Sequence, residues 1–425
     1  MNGSVATVVL AGGQGTRLFP LTLRHCKPAV YFGGLYRLID IPISNALNSD
    51  MRQIFVIAQY LSTELHHHLS QTYQFENIQK GSLDFLTPQE RPNGEKVWFN
   101  GTADAVRKNL ESLLESPADY FLILSGDQLY NIDFQKMLEF TIEKDADLTI
   151  ASLPVKKDDA SRLGVLKIND QSRVDDFFEK PKESHVLDKF KISEDFFEKN
   201  KLGIEKSKTH LGSMGIYIFK RNVLASLLIE DNREDFGKHL IPFQIKKGRS
   251  FAYVYDGYWE DIGTISSFYN ANMALTDNTL GLDTYDESHP IYSRQFHLPG
   301  PRILDTKITN SIICDGSVIK GKEIINSIIG LRSHIEKGTT IRNSILCPNH
   351  YYFRPPHQEH LPETFRVGEN CLIENAIIDE HVLIGNNVKL INKEKRLNYD
   401  SEGAYIRDGI IVVAAGTYLP DNFVL

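Results

Sequence analysis

Arg17 and Lys27 lie just beyond three closely spaced glycines, Gly12, Gly13 and Gly15, in a chain of 425 residues with a net charge of −8. A glycine loop lets the backbone approach a ligand and turn its amides inward. A forked guanidinium and an ammonium beside it add positive charge for an anion. Together they describe a site for a polyphosphate. Asp127 follows the apolar run Tyr120-Phe121-Leu122-Ile123-Leu124 and the pair Ser125-Gly126. A carboxylate just past a buried parallel strand sits where open α/β sheets bind ligands, although an Asp there also caps helices. Beside the glycine loop, metal ligation is the expectation. Mg²⁺ takes one or two carboxylates and completes its shell with water and phosphate oxygens. Asp127 is one candidate ligand.

These residues need elements to hold them. Val5 to Ala11 is a short β-branched run that suits a buried strand, and the glycine loop leaves its end. The loop is not a Walker motif, because Gly15 is followed by Thr16-Arg17, and Leu18 stands where a dinucleotide fingerprint has its third glycine. A plain strand-to-helix turn is the bland alternative. Tyr36 to Asn45 leads into a helix, Ile54 to Ala58 and Phe251 to Tyr255 read as strands, and Ile265 to Thr276 reads as a helix. His66-His67-His68 resembles a metal cluster, but consecutive helical residues point apart, so the expectation is a solvated helix face. Gly101-Thr102 precedes a helical pattern, with Thr102 as a potential N-cap. Gly164, lacking a side chain, leaves room for another group to approach the backbone. Glu179-Lys180 pairs a carboxylate able to accept hydroxyls with an ammonium able to hold a phosphate; alone, such a pair is ordinary surface. Gly81 to Glu95 and Lys182 to Lys208 are polar and read as lids or as surface insertions.

A hydrophobic content of 41% and a charged content of 24% are ordinary for a globular protein. The negative charge argues against a nucleic-acid binder. No apolar stretch has the length of a membrane span, and no secretory leader is evident. The expected address is cytoplasmic, or the plastid stroma for a photosynthetic source. Cys26, Cys314, Cys347 and Cys371 are far apart, which favours reduced thiols and argues against a cysteine zinc site. Cys26 adjoins Lys27, so a lowered thiol pKa stands against an inert packed cysteine.

After Asp277 to Pro301, rich in Pro, Gly, His and Asp and read as a linker, apolar residues recur every six positions. Ile312, Val318 and Ile324 form one series, and Ile329, Ile335 and Ile341 a second. Leu372, Ile378, Ile384 and Leu390 form a third, with Ala376, Val382 and Val388 beside it; Ile406, Val412, Tyr418 and Val424 close the chain. A hexapeptide period predicts a β-helix, interrupted by an excursion over Pro348 to Pro362. Many such helices are acyltransferases, but this array is short and broken, which favours a structural or regulatory role. Flat stacked surfaces favour a symmetric oligomer.

The string Leu10-Ala11-Gly12-Gly13-Gln14-Gly15-Thr16-Arg17-Leu18 followed by Lys27-Pro28 resembles the signature of sugar-1-phosphate nucleotidyltransferases. Gly101 to Val106, Phe177 to Pro181, Asp235-Phe236-Gly237-Lys238, Tyr258 to Thr264 and the tail, through Ala376 to Asp379 and Tyr405 to Ile410, narrow the likeness to the glucose-1-phosphate adenylyltransferase family. The resemblance covers nearly the whole chain. It implies an α/β fold, with a Rossmann-like mixed-sheet nucleotidyltransferase domain over residues 1–276, a linker over 277–301 and a left-handed parallel β-helix over 302–425. It implies transfer of the adenylyl group of ATP to glucose 1-phosphate, with Mg²⁺, in glycogen or starch synthesis.

Carried over residue by residue, the resemblance assigns Arg17, Lys27, Asp127 and Asp261 to catalysis, the two aspartates also to the metal. Leu10, Ala11, Gly12, Gly13, Gly15 and Thr16 would hold the nucleotide, with Gly101, Thr102 and Ala103 against the base. Gly164, Glu179, Lys180 and Ser213 would hold glucose 1-phosphate. A homotetramer sensing phosphorylated metabolites is implied as well. Arg24 stands where a regulatory lysine is common, and Ala415 where related sequences carry an activator-binding lysine, so weak or altered activation is expected. Two alternatives remain: a related enzyme using UTP, dTTP or GTP, and a non-catalytic regulatory subunit.

Overall fold

The computed structural model describes residues 3–75, 81–89, 98–192, 207–277 and 281–425. Its N-terminal elements, in chain order, include β1 (Val5–Leu10), α1 (Asp40–Asn48), β2 (Gln53–Ile57), α2 (Ser62–Thr72), β3 (Ser82–Leu86), α3 (Thr102–Lys108), β4 (Tyr120–Ser125) and β5 (Gln128–Tyr130). There follow β6 (Leu148–Lys156), β7 (Gly164–Ile168), β8 (Val174–Glu179), β9 (Lys208–Lys220), β10 (Ser250–Val254), β11 (Trp259–Asp261) and α4 (Ile265–Ala274). Nine of these strands form one sheet in the order β8-β7-β9-β4-β1-β2-β3, with β6 joining β9 to β10. β1 runs parallel to both β2 and β4, whereas β9 is antiparallel to β4, β6 and β7. The sheet is therefore mixed. The parallel centre is covered on both faces, which is why β1 and β4 read as unbroken apolar runs and not as alternating ones.

Register turns this sheet into a site. Leu10 of β1 lies opposite Ser125 of β4, so the glycine loop and Asp127 leave the same edge side by side. β5 and β11 then pair as a separate two-stranded ribbon with Asp261 opposite Gln128. That pairing brings two carboxylates 134 positions apart in the chain to one place.

Two expectations need correcting here. Gly81 to Glu95 is not simply a lid or insertion, since residues 82–86 are the edge strand β3; residues 90–95, like 193–206 of the second polar stretch, lie outside the described residues. The histidine tract is a solvated face only in part. His66 and His67 are exposed, His66 stacked on Phe85 and His67 turned to Gln71, but His68 is buried, with Nε2 2.6 Å from the fully buried Asp40. The helix separates the three, as expected, but it directs two of them into contacts.

Residues 281–301 contain no strand or helix, yet their backbone is tied to the sheet unit. Ser44 Oγ accepts from the Tyr292 N–H (2.8 Å), and Tyr73 Oη donates to the Tyr292 carbonyl (3.0 Å). Beyond them, strands stack into three ladders of six, five and seven, all parallel except that residues 399–400 and 404–407 end the third ladder antiparallel. An uninterrupted coil takes sixteen or seventeen residues, as from Val318 to His334 or from Glu323 to Thr340, while two coils with insertions take 32 and 35, as from Thr340 to Leu372 and from Leu383 to Tyr418. A strict six-residue count therefore slips out of register. Ile329, Ile335, Ile341, Ile378, Ile384 and Leu390 do face the interior, but Tyr418 and Val424 are exposed. Ile312 and Val412 face the sheet unit instead.

The third ladder is apolar on both sides. Ile329, Leu346, Ile378 and Val413 point inward, while their neighbours Ile328, Ile345, Ile377 and Val412 join Leu18, Leu21, Val30, Phe32, Ile262 and Phe268 in a shared core. The segment between the glycine loop and α1 is thus packed on the β-helix. Gly34, at φ 76°, reaches into it: a Cβ there would stand 2.9 Å from both Cys314 Sγ and Ile328 Cγ2.

Candidate active site

A cavity of about 550 Å³ opens at the carboxyl ends of β1 and β4, within the usual size of a small-molecule site. Leu10, Gly12, Gly13, Arg17, Lys27, Gly101, Thr102, Asp127, Gly164, Glu179, Lys180, Ser213 and Asp261 all line it. Ala11, Gly15, Thr16 and Ala103 do not. Ala11 is buried and donates its N–H to the Ile57 carbonyl (2.8 Å), and Thr16 begins a short 3₁₀ turn.

The glycines divide by task. Nothing lies within 4 Å of a Cβ built on Gly13, so this part of the loop is open to the cavity. Gly15 is a packing residue at φ 64°, where a Cβ would be 2.8 Å from Thr22 Cγ2 and 3.0 Å from Lys27 Cβ. Its absence of side chain lets the loop fold down beside Lys27.

Lys27 is nearly buried and its ammonium binds Asp127, whose other oxygen accepts from Ser125 Oγ; Asp261 Oδ1 lies 3.8 Å from the same nitrogen. Burial, and then the neighbouring Asp127 charge, push the Asp261 carboxyl upward, against the opposing pull of Lys27, Arg17 and Lys180. Two carboxylates converging on one ammonium leave oxygen donors to spare. That donor set fits a hard divalent cation such as Mg²⁺. Asp127 caps no helix, because β5 follows it directly. The Arg17 guanidinium lies along the same edge, with its nitrogens at 3.5 and 3.6 Å from where a Gly263 Cβ would be.

Across the cavity, Glu179 ends β8 and is held between two glycines. A Cβ on Gly164 would stand 2.8 Å from Glu179 Oε2, and one on Gly237 2.7 Å from the same oxygen. Gly164 also makes room for the Phe177 ring, whose Cζ would be nearer still to its would-be Cβ and whose Cε2 would be 2.9 Å away. Its smallness therefore admits protein side chains. Burial raises the Glu179 pKa. Lys180 adopts φ 49°, a left-handed conformation that costs a non-glycine residue about 1–3 kcal/mol. Its N–H donates to the Leu163 carbonyl (3.1 Å), and its ammonium is exposed, 3.6 Å from Glu179 Oε1. Ser213 Oγ accepts from the Gly215 N–H (3.2 Å) on the cavity wall.

Gly101 to Ala103 is tied to a later segment. The Ala103 N–H donates to the Glu234 carbonyl (2.8 Å), and Thr102 Oγ1 accepts from the Phe236 N–H (3.2 Å). Thr102 is thus the first residue of α3 and Gly101 its cap position. Gln59, which sequence reading passed over, clamps this segment to the glycine-loop side: Nε2 donates to the Phe99 carbonyl (3.1 Å) and Oε1 accepts from the Phe99 N–H (2.9 Å). Gln128 does the same opposite, donating to the Met214 carbonyl (2.8 Å) beside Ser213. Gln59 directly follows the second apolar strand and Gln128 follows Asp127, which is the only signal either gave.

Outside the cavity, Cys26 is buried and burial pushes its thiol up to about 11, so it is an inert packed cysteine at neutral pH. Arg24 is exposed at the junction of the two units: a Cβ on Gly416 would meet its guanidinium at 2.9 Å, next to Ala415. Among the described residues no helix is long and apolar enough to cross a membrane.

Residues 6–278 match the family model described as nucleotidyl transferase, and residues 296–424 match the model described as the GLGC left-handed parallel β-helix domain. The first match spans the whole sheet unit that carries the cavity. The second gives the hand of the coils.

Proposed function

The chain belongs to the nucleotidyl transferase family, with its two modules in the arrangement of ADP-glucose pyrophosphorylases, and from that premise we propose that it makes ADP-glucose and pyrophosphate from ATP and glucose 1-phosphate. One observation carries the proposal. A single cavity has an open glycine loop, Lys27, Asp127 and Asp261 on one side and Glu179, Lys180 and Ser213 on the other. Two phosphorylated ligands entering from these sides would meet phosphate to phosphate.

The reaction asks little covalent work of the protein. A phosphate monoester has its second pKa near about 6, so glucose 1-phosphate offers a dianionic oxygen without a general base. That oxygen forms a bond to the α-phosphorus of ATP while the α–β bridging bond breaks, and the electron pair leaves with pyrophosphate. Catalysis then rests on alignment and charge stabilisation. The Lys180 ammonium would hold the sugar phosphate, with Glu179 and Ser213 accepting or donating to sugar hydroxyls. The Gly12–Gly13 amides, Arg17 and Lys27 would bind the triphosphate, and Gly101 and Thr102, just beyond the Phe99 backbone that Gln59 clamps, would face the base. Mg²⁺ held by Asp127 and Asp261 would supply the charge neutralisation that the cluster around Lys27 lacks. A homotetramer in which Arg24 and the 414–416 turn meet phosphorylated effectors is part of the same reading.

The test is product analysis with ATP, glucose 1-phosphate and Mg²⁺. ADP-glucose and pyrophosphate should form in equal amounts. Asp127→Ala should lower turnover at least about 10²-fold, the scale of losing one electrostatic stabiliser. Near-normal turnover in that variant would remove Asp127 from the mechanism.

A further inference from the structure

Where the β-helix meets the chain just before Lys27, a second cluster of donor atoms lies outside the cavity. His25 and Glu380 are almost wholly buried, 3% and 5% exposed. His25 Nδ1 is 2.5 Å from Glu64 Oε2, and its Nε2 points at Glu380 Oε1 from 3.4 Å without a hydrogen-bond partner. Glu380 Oε2 likewise has no hydrogen-bond partner and lies 3.3 Å from His350 Nδ1. His381 Nδ1 is 3.6 Å from Glu380 Oε1. One donor atom from each of His350, Glu380 and His381 falls within 4.8 Å of the other two.

We propose that His350, Glu380 and His381, with His25 as fourth donor, form a site for a divalent transition metal of the Zn²⁺ class that ties the catalytic unit to the β-helix. Tetrahedral coordination with bonds of about 2.0 Å separates neighbouring donors by about 3.3 Å. Two of the distances run to Glu380 Oε1, 3.4 Å from His25 Nε2 and 3.6 Å from His381 Nδ1, and the third to Oε2, 3.3 Å from His350 Nδ1; each is close to that spacing, and the imidazoles would draw together around the ion. Imidazole with one carboxylate selects zinc-like ions over Mg²⁺ or Ca²⁺, which want oxygen only. The surrounding partners also fit. Glu64 orients His25 through Nδ1 and is itself held by Arg37 (2.5 Å), while the Tyr31 hydroxyl is 2.7 Å from His350 Nε2. Ligating imidazoles characteristically have their second nitrogen fixed in this way.

The protonation pattern agrees with that geometry. Burial holds His350 down, to about 4, and lowers His381, so both are neutral, as ligands must be. His25 is the exception. Burial alone would lower it, but Glu380 and Glu64 together outweigh that and raise it to about 10. A cation entering at Glu380 would displace the proton that His25 carries. His381 Nε2 now receives only a long bond from the His350 N–H (3.3 Å), which is readily given up. His350 is partly exposed and gives the ion a way in. Since His25 is two residues from Lys27, an ion here would pin the glycine-loop segment to the coils.

The inference does not depend on the assignment of the catalytic cavity, and its test does not use activity. The full chain is stripped with EDTA, desalted and titrated with Zn²⁺ against a chromophoric chelator, with metal content and proton release measured together. The expected result is one Zn²⁺ per chain, bound with release of protons and equally well by Asp127→Ala. His350→Ala and His381→Ala should weaken binding at least tenfold, and Tyr31→Phe about tenfold. Circular dichroism of the His350→Ala protein checks folding, and substituted Co²⁺ should give the visible bands of a tetrahedral ion. Absence of tight Zn²⁺ binding, equal binding by folded His350→Ala, or loss of binding in Asp127→Ala would each overturn the proposal.

Discussion

Gly237→Ala is a small change with a directed consequence. The new Cβ would lie 2.7 Å from Glu179 Oε2 and 3.0 Å from its Cδ. An ordinary contact is about 3.4 Å or more, so the carboxylate must retreat by roughly 0.7 Å. It is the free end of a flexible side chain, and φ at Gly237 is not in the left-handed region, so the backbone can stay where it is. Stability should hold or rise by about 0.4–1 kcal/mol, because alanine has fewer unfolded conformations to lose. The cost falls on the sugar side of the cavity. A misplacement of about 1 Å is worth about 10²-fold, so 0.7 Å predicts a loss of roughly 10- to 50-fold in kcat/KM for glucose 1-phosphate, about 1.4–2.3 kcal/mol. The assay is the initial rate of pyrophosphate release, varying one substrate while the other saturates. KM for ATP should stay within twofold, since Gly237 and Glu179 lie opposite the glycine loop. Two results would refute the reasoning: glucose 1-phosphate kinetics within twofold of the parent, or an equal rise in KM for ATP. Gly164→Ala provides the contrast. It presses the same oxygen but also the buried Phe177 ring, so it should lower the melting temperature as well.

Three other perturbations follow from the packing. Ile377→Ala removes a wholly buried side chain from the core shared by the two units and should cost about 2–5 kcal/mol, read as a lower urea midpoint together with an earlier loss of activity. His68→Ala strips the buried Asp40 of its imidazole and leaves only the Tyr73 hydroxyl and the Arg37 N–H; a loss of about 3 kcal/mol is expected by denaturant titration, with His68→Gln recovering part of it. At the junction, Arg24 is exposed and Ala414-Ala415-Gly416 supplies no second cation. Stimulation by 3-phosphoglycerate should therefore be weak, and severalfold activation in a rate assay would contradict this.

What the sequence disclosed, it disclosed through local chemistry. β1 and β4 were visible because a strand covered on both faces must be apolar throughout, and Asp127 because it stands at such a strand's end. The mixed sheet and the coils that follow it agree with the expected fold class, and most of the candidate residues, though not Ala11, Gly15, Thr16 or Ala103, line one cavity. What escaped was set by distant partners. Gly15 and Gly164 look like ligand-facing glycines, yet the atoms they make room for belong to Thr22, Lys27, Phe177 and Glu179. His68 looks like surface until Asp40 is found beneath it. The coils were legible as a repeat, but their length of sixteen or seventeen residues defeats a count by six. One signal was present and missed: the doublets Ile328-Ile329, Ile345-Leu346, Ile377-Ile378 and Val412-Val413 announce a ladder buried on both faces, and so a neighbour packed outside it. The His25–Glu380 cluster had no such signal, because its members are scattered from residue 25 to residue 381 and meet only in the folded chain.

The most direct test is a comparison of kcat/KM for ATP, UTP, dTTP and GTP, each with glucose 1-phosphate and Mg²⁺, using pyrophosphate release by the purified full chain. Preference for ATP by at least tenfold, abolished in Asp127→Ala, is the predicted result. Preference for another nucleotide would contradict the assignment of ADP-glucose synthesis while leaving nucleotidyl transfer in place, and absence of release with all four would contradict catalysis by this chain.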